Sequence, residues 1–177
     1  MLQLLKKRRS IRKYTGEKVP EEKIFEIIKA ALLAPTSKNS KPCEFIIVKD
    51  KNLLSKLSLA KPGAAFLKDS DFGVVILGDP SISDVWIEDA SIAAIQVHLM
   101  SEYLGLGSCW IQIRERKYSE HISAEKYVRD LLDIPDSINV LAVVSIGHPD
   151  EKKDPVTEES LNYGKVYLDK YKSTYLE

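Results

Sequence analysis

Two periods of apolar and polar positions run along this chain, and each change of period marks an element. From Val19 to Pro35 (VPEEKIFEIIKAALLAP), Ile24, Ile27, Ile28 and Ala31 recur at helical spacing. Pro20 suits a first helical turn, Glu21 and Glu22 favour the positive end of the dipole, and Pro35 stops the helix. The pattern predicts a short helix over Leu2 to Arg8, another over Lys51 to Leu59, and one over Ala124 to Leu132 closed by Pro135. Unbroken apolar runs predict strands at EFIIVK (44–49), FGVVILG (72–78) and VLAVVSIG (140–147), with a shorter strand from Ser108 to Ile113. The first of these runs implies burial on both faces. A long helix from about Ser83 to Leu104 is apolar almost all round, with Val85, Ile87, Ile92, Ile95 and Leu99 on different sides. Such a helix belongs at the centre of a core or of a subunit interface.

Beyond Pro149 the pattern fades. Asp150 to Ser160 (DEKKDPVTEES) has one large apolar residue and should run over the surface. The last stretch regains apolar content, with Tyr163, Tyr167, Tyr171 and Tyr175 spaced four apart. On a helix these would form a stripe, which Gly164 weakens. Two regions are therefore expected: a domain over 1–153, and an arm over 154–177 that either packs on a partner subunit or is a frayed end.

Length and charge narrow the function. The chain of 177 residues can bury one sizeable core, and its 26 basic and 26 acidic residues cancel. No overall field draws it to nucleic acid or to an anionic membrane, so any anion site must be local. Asp84 to Leu104 is the one stretch long enough to suspect of spanning a membrane, and it carries Glu88, Asp89, Gln96, His98 and Glu102. Charges that follow the N-terminal apolar run argue against a secretion signal, and Cys43 and Cys109 form no metal-ligand pair or disulfide framework. These features lead to the expectation of a soluble cytoplasmic protein. His98, within the long helix, reads as a hydrogen-bonded core histidine.

The basic cluster RRSIRKYT, Arg8 to Thr15, stands out against this neutrality. Guanidinium forks donate parallel hydrogen bonds to phosphate, and a serine hydroxyl adds a short donor. Extended backbone would send Arg8, Ser10 and Arg12 to one side and Arg9 to the other. A donor-rich loop follows the second helix, Pro35-Thr36-Ser37-Lys38-Asn39-Ser40-Lys41-Pro42. Gly105-Leu106-Gly107-Ser108-Cys109-Trp110 and Gly147-His148-Pro149 supply further loop chemistry.

In this order the segments RRSIRKY, APTSKNSKP, EYLGLGSCWIQI and VRDLLDIPDSINVLAVVSIGHPDEKK resemble the nitroreductase family of flavin enzymes, specifically its shorter members. The resemblance covers roughly residues 5–153. It implies an α+β fold, with a mixed, mainly antiparallel sheet flanked by helices. Two FMN molecules would lie at the interface of a homodimer, and electrons would pass from NADH or NADPH through FMN to nitroaromatics, quinones or similar acceptors in a ping-pong exchange. By the same resemblance Arg8 and Ser10 would hold the FMN phosphate and ribityl chain, with Arg9 beside them and Lys152 and Lys153 nearby. Arg12 would approach the pyrimidine edge, where reduction places negative charge. Pro35, Thr36, Ser37 and Asn39 would reach the flavin of the opposite subunit. Trp110, Ile111, Gln112 and Ile113 would lie against the ring, with backbone N–H groups near Gln112 and Ile113 facing its N5 edge. Gly147 would belong to the closing flavin loop, and no side chain would act as acid, base or nucleophile.

Three positions depart from the family pattern. Lys41 stands where glutamine is usual, Cys43 where an aromatic residue is usual, and Gln112-Ile113 where a glycine normally lies close to the ring. The last substitution would narrow the pocket over the flavin. Specialised relatives of the same architecture (a reductive dehalogenase, an enone reductase, a flavin-consuming synthase) and a non-catalytic flavin-binding sensor are the rival readings.

Overall fold

The computed structural model describes residues 1–175. The helices are α1 (Leu2–Lys7), α2 (Glu21–Leu32), α3 (Lys51–Leu57), α4 (Trp86–Tyr103) and α5 (Ala124–Leu132); the strands are β1 (Cys43–Val48), β2 (Phe72–Gly78), β3 (Gly107–Gln112) and β4 (Asn139–Gly147). The strands form one sheet in the order β1-β2-β4-β3, and every neighbouring pair is antiparallel. Among the described residues a single parallel bridge, Ser10 to Ser108, adds the mixed character that the resemblance implies. The α+β expectation holds.

Strand alternation divides the core. On one face Val74, Ile76, Val144 and Ile146 pack against α2 and α4; on the other Val75, Leu77, Val143 and Ile111 meet α3 and α5. β2 and β4 are central and buried almost throughout. β1 differs from its expected burial on both faces. It is an edge strand, with most of its residues half-buried and Glu44 exposed, because only β2 covers its flank.

α4 buries Trp86, Ala90, Ala93, Ala94 and Val97 against the sheet, yet leaves Ile92 and Ile95 exposed. It is thus buried along one stripe, and its remaining apolar side faces outward. The C-terminal tyrosines form no helical stripe: short 3₁₀ turns at Glu158–Ser160 and Tyr163–Lys165 are followed by a bridge between Tyr167 and Thr174. Every residue from 157 to 175 is exposed. Among the described residues no helix is long and apolar enough to cross a membrane.

The segment Arg8 to Thr15 lies as a strap against the outer side of β3 and the end of β4. Ile11 N–H donates to Ser108 C=O at 3.0 Å, and Thr15 N–H to His148 C=O at 3.0 Å. Gly107 and Gly147 face each other across the β3–β4 pair. A Cβ on Gly107 would lie 2.6 Å from the Ile11 methyl Cγ2, and one on Gly147 would lie 3.0 Å from the Tyr14 ring. The two glycines therefore leave the slot that Ile11 and Tyr14 fill. The Tyr14 hydroxyl donates to Ile11 C=O at 2.7 Å and lies 2.7 Å from Ser145 Oγ; burial pushes its pKa well up. Beneath the strap, His98 of α4 is buried, as expected, and its Nδ1 lies 2.7 Å from Ser108 Oγ.

Two outcomes are expected. Gly107→Ala should cost about 1–3 kcal/mol in urea unfolding, since Ile11 cannot move without lifting the strap; Ile11→Ala in the same chain should recover part of the loss. Burial, reinforced by the positive charge of Arg8, depresses the His98 pKa to about 4. Between that value and the ordinary histidine range near 6.5 the unfolded chain binds a proton that the folded chain refuses. Stability should therefore be highest above about pH 6.5 and fall by on the order of 3 kcal/mol toward pH 4. His98→Asn should flatten this part of the urea-stability profile.

Candidate active site

The strap places its side chains on two sides. Lys7 and Arg9 line a cleft of about 190 Å³ shared with Glu102, Glu151, Lys152 and Lys153. Arg8 lies close enough to His98 to disfavour a second positive charge there. Ser10, Arg12 and Lys153 are neighbours of Cys109: burial raises the thiol pKa, and these three oppose it. Arg12 is exposed, with its guanidinium 5.8 Å from the centroid of the half-buried Phe66 ring.

Backbone and carboxylate contacts hold this set in place. Lys153 Nζ donates to Ser10 C=O and lies 3.5 Å from Glu151, while Glu151 also accepts the Arg12 backbone N–H. Arg9 donates to Asp154 C=O, and Asp150 N–H to Lys13 C=O at 2.9 Å. The segment after β4 thus clamps the strap from outside. In the clamp the Arg12 guanidinium stays out of any salt bridge among the described residues, while its backbone is fixed.

The outer edge of β3 supplies donors beside the cations. In an antiparallel strand, successive residues turn their N–H and C=O groups alternately toward and away from the partner. Ser108 C=O faces outward, to the strap, and Ile113 N–H faces inward, donating to Leu141 C=O at 3.1 Å. Trp110 and Gln112 share the parity of Ser108, so their backbone groups lie on the outer edge. Ile113 departs from the expectation: its N–H is spent on Leu141, its side chain is fully buried with the α5 face, and it offers no donor to a ring. Ile111 is likewise core. Gly147 is buried as well, and its part is to admit Tyr14.

Pro35, Thr36, Ser37 and Asn39 stand apart from this cluster within the chain. The buried Asp89 carboxylate, in the first turn of α4, accepts Ser37 N–H at 2.8 Å and the Ser83 hydroxyl at 3.1 Å. Thr36 Oγ1 accepts Lys41 N–H at 3.0 Å. Lys38, Asn39 and Lys41 adopt left-handed φ values of 51°, 54° and 53°, an uncommon density for residues with a Cβ. Asp89 and His98 mark the two sites on α4 and lie about 14 Å apart along the helix axis. Cys43 lies near this loop, with its thiol pKa pushed to about 11 by burial and then by Asp89.

The structure therefore gathers Arg8, Arg9, Ser10, Arg12, Lys152, Lys153, Trp110 and Gln112, and leaves the Pro35–Asn39 loop at the other end of α4. Sequence reading passed over Phe66, which sits in an Ala-rich turn with no distinguishing motif, and over the pairing of His98 with Ser108. It also attached no role to the glycine slot.

A profile of the nitroreductase family matches residues 5–71 and 59–148. The fold superposes on the FMN-dependent nitroreductase from Clostridium difficile R20291 with a TM-score of 0.95 and 47% identity, covering 97% of this chain and 100% of that one. A curated relative from Archaeoglobus fulgidus, provisionally assigned as an NADH dehydrogenase/NAD(P)H nitroreductase, is 34% identical over 175 residues, which is 96% of this chain and 98% of the relative. The FMN reductase [NAD(P)H] of Bacillus subtilis is 28% identical over 184 residues, covering 90% of this chain and 71% of that protein. The profile match spans the strap, the Pro35–Asn39 loop and both edge strands, and the chain belongs to the nitroreductase family.

Proposed function

We propose that this protein is an NAD(P)H-dependent oxidoreductase that binds FMN along the strap and reduces electron-poor acceptors such as nitroaromatics and quinones by a ping-pong exchange. The observation that carries this reading is the convergence of permanent cations and a serine hydroxyl with the outward N–H of Gln112 at one edge of β3. Phosphate requires the first set, and a flavin ring needs a donor at N5, so the residues present fit the group. When bound, FMN supplies the ability to take two electrons from NAD(P)H and pass them to an acceptor.

The chain's residues divide the remaining work. Arg8 and Ser10 grip the phosphate and ribityl chain, with Arg9 and the Lys152–Lys153 pair adding charge. Arg12 meets the pyrimidine edge with a charge that cannot be neutralised by proton loss, and the Phe66 ring beneath it restricts its movement. Gln112 offers its backbone N–H. No titrating side chain is needed, because these donors are fixed before any electron arrives.

A homodimer completes the site in this reading. The exposed side of α4, with Ile92 and Ile95, adjoins an apolar groove of about 460 Å³ between α1, α2 and α4, lined by Leu4, Ala30, Leu33, Leu99 and Tyr103. Covering this surface with a second copy removes it from water and brings that copy's Pro35, Thr36, Ser37 and Asn39 toward the strap. Residues 154–177 serve as an arm whose exposed tyrosines pack on the partner, and 1–153 form the FMN domain. The chemistry suits the cytoplasm, where NAD(P)H is available.

Replacing Arg8 and Ser10 together with alanine should leave the far-UV spectrum intact and lower FMN affinity by at least about tenfold, since hydrogen bonds to charged groups contribute about 1.5–3 kcal/mol each. Wild-type affinity in fluorescence titration would place the phosphate elsewhere. Ile92→Asp with Ile95→Asp should convert a dimer to a monomer in sedimentation and weaken FMN binding in parallel; a monomer with undiminished FMN affinity would show that one chain forms the whole site.

A further inference from the structure

The end of β3 carries a brace made by one side chain. The Gln112 amide oxygen accepts the Trp110 indole N–H at 2.9 Å, and the amide nitrogen donates to Arg114 C=O at 2.8 Å. An indole N–H only donates and a carbonyl only accepts, so the two partners dictate which end of the amide is which. No other side chain of this length serves both. Glutamate would turn an oxygen toward the Arg114 carbonyl, and leucine would satisfy neither partner. Both Gln112 and Trp110 are half-buried, where such bonds are sheltered from competing water.

The brace sits where the strand needs one. Beyond Gln112 the chain turns away sharply: Ile113 and Arg114 both donate to Leu141 C=O, at 3.1 and 3.0 Å, and Glu115 adopts a left-handed φ of 58°. On the outer edge the strap bridges β3 at Ser108, two residues before Trp110. The outward N–H of Gln112 thus lies between the end of the strap contact and the turn, and its direction is held from both sides by its own side chain.

We infer that Gln112 is a positioning residue. Its amide fixes the direction of its own backbone N–H and the plane of the Trp110 ring, and so controls how readily NAD(P)H reduces the bound flavin, with little effect on cofactor affinity. This inference rests on the FMN reading above. The step it governs is transfer of a hydride from the nicotinamide, which is oxidised to NAD(P)+, to the flavin. Precise donor geometry matters there because small misplacements of a reacting centre are costly. The glutamine at a position where the family usually places a glycine near the ring then has a reason: it stiffens an edge that glycine would leave free.

The test uses FMN-loaded wild type, Gln112→Leu, Trp110→Phe and the double variant, mixed anaerobically with NADH in a stopped-flow spectrophotometer. Gln112→Leu should retain FMN and the wild-type dependence on NADH concentration, while the limiting rate of flavin bleaching falls about fivefold, the scale of one lost hydrogen bond. Trp110→Phe should slow bleaching similarly, and the double variant should be no slower than the slower single, because both cut the same brace. In NMR, the indole N–H resonance missing from Trp110→Phe identifies Trp110, and its hydrogen exchange should quicken in Gln112→Leu. Full-speed bleaching in FMN-loaded Gln112→Leu, unchanged indole exchange, or additive effects of the two substitutions would overturn the inference. A wild-type chain that takes up no FMN would instead overturn the reading beneath it.

Discussion

The contact of Ile11 and Tyr14 with the paired glycines of β3 and β4 is the constraint on which the candidate site depends. A basic segment near a chain terminus would ordinarily stay solvated, because its charges favour water and its backbone loses entropy on docking. Here two apolar residues of the strap enter a slot that only glycine leaves open, and their burial offsets that cost. With Ile11 and Tyr14 anchored, the residues between and beside them have fixed directions. Docking of the strap is what makes Arg8, Ser10 and Arg12 a candidate site.

Electrostatics then follow from placement. The chain has no net charge, so the local positive field has to be built and kept. Glu151 and the carbonyls of Ser10 and Asp154 hold the strap and its neighbours through backbone groups, Lys153 and Arg9. His98, directly beneath, stays neutral because its burial and the nearby Arg8 both disfavour its cation. A neutral imidazole can lie close to Ser108 and join α4 to β3 without adding a charge that would repel the arginine above it. The buried Asp89 does the corresponding task at the far end of α4, where it satisfies the amide of a loop held in left-handed conformations.

α4 links both ends and also explains why they do not meet within one chain. Its length separates the strap from the Pro35–Asn39 loop, and its outward apolar side has no cover among the described residues. A helix apolar on most sides presents more apolar surface than the sheet beneath it covers. The same surplus recurs near the C-terminus, where aromatic residues lie exposed beyond the last strand.

The sequence by itself determined the elements, because each is recorded in a local period: α5 and β2 begin and end where the pattern predicts, and α4 falls within its predicted span. It also carried the strap, since three arginines around a serine are chemistry legible without coordinates. Tertiary structure decided what local pattern cannot encode. β1 reads as a fully buried strand, yet its place at the sheet edge leaves it half-covered, because an apolar run reports a preference for burial and says nothing about how many neighbours arrive. Gln112 and Ile113 looked equivalent as donors until strand pairing turned one outward and spent the other on Leu141. Gly107 and Gly147 read in sequence as loop glycines, and only the register set them opposite each other beneath a segment from the other end of the chain. In each case the deciding interaction joins residues distant in sequence, and only the folded chain brings them within contact.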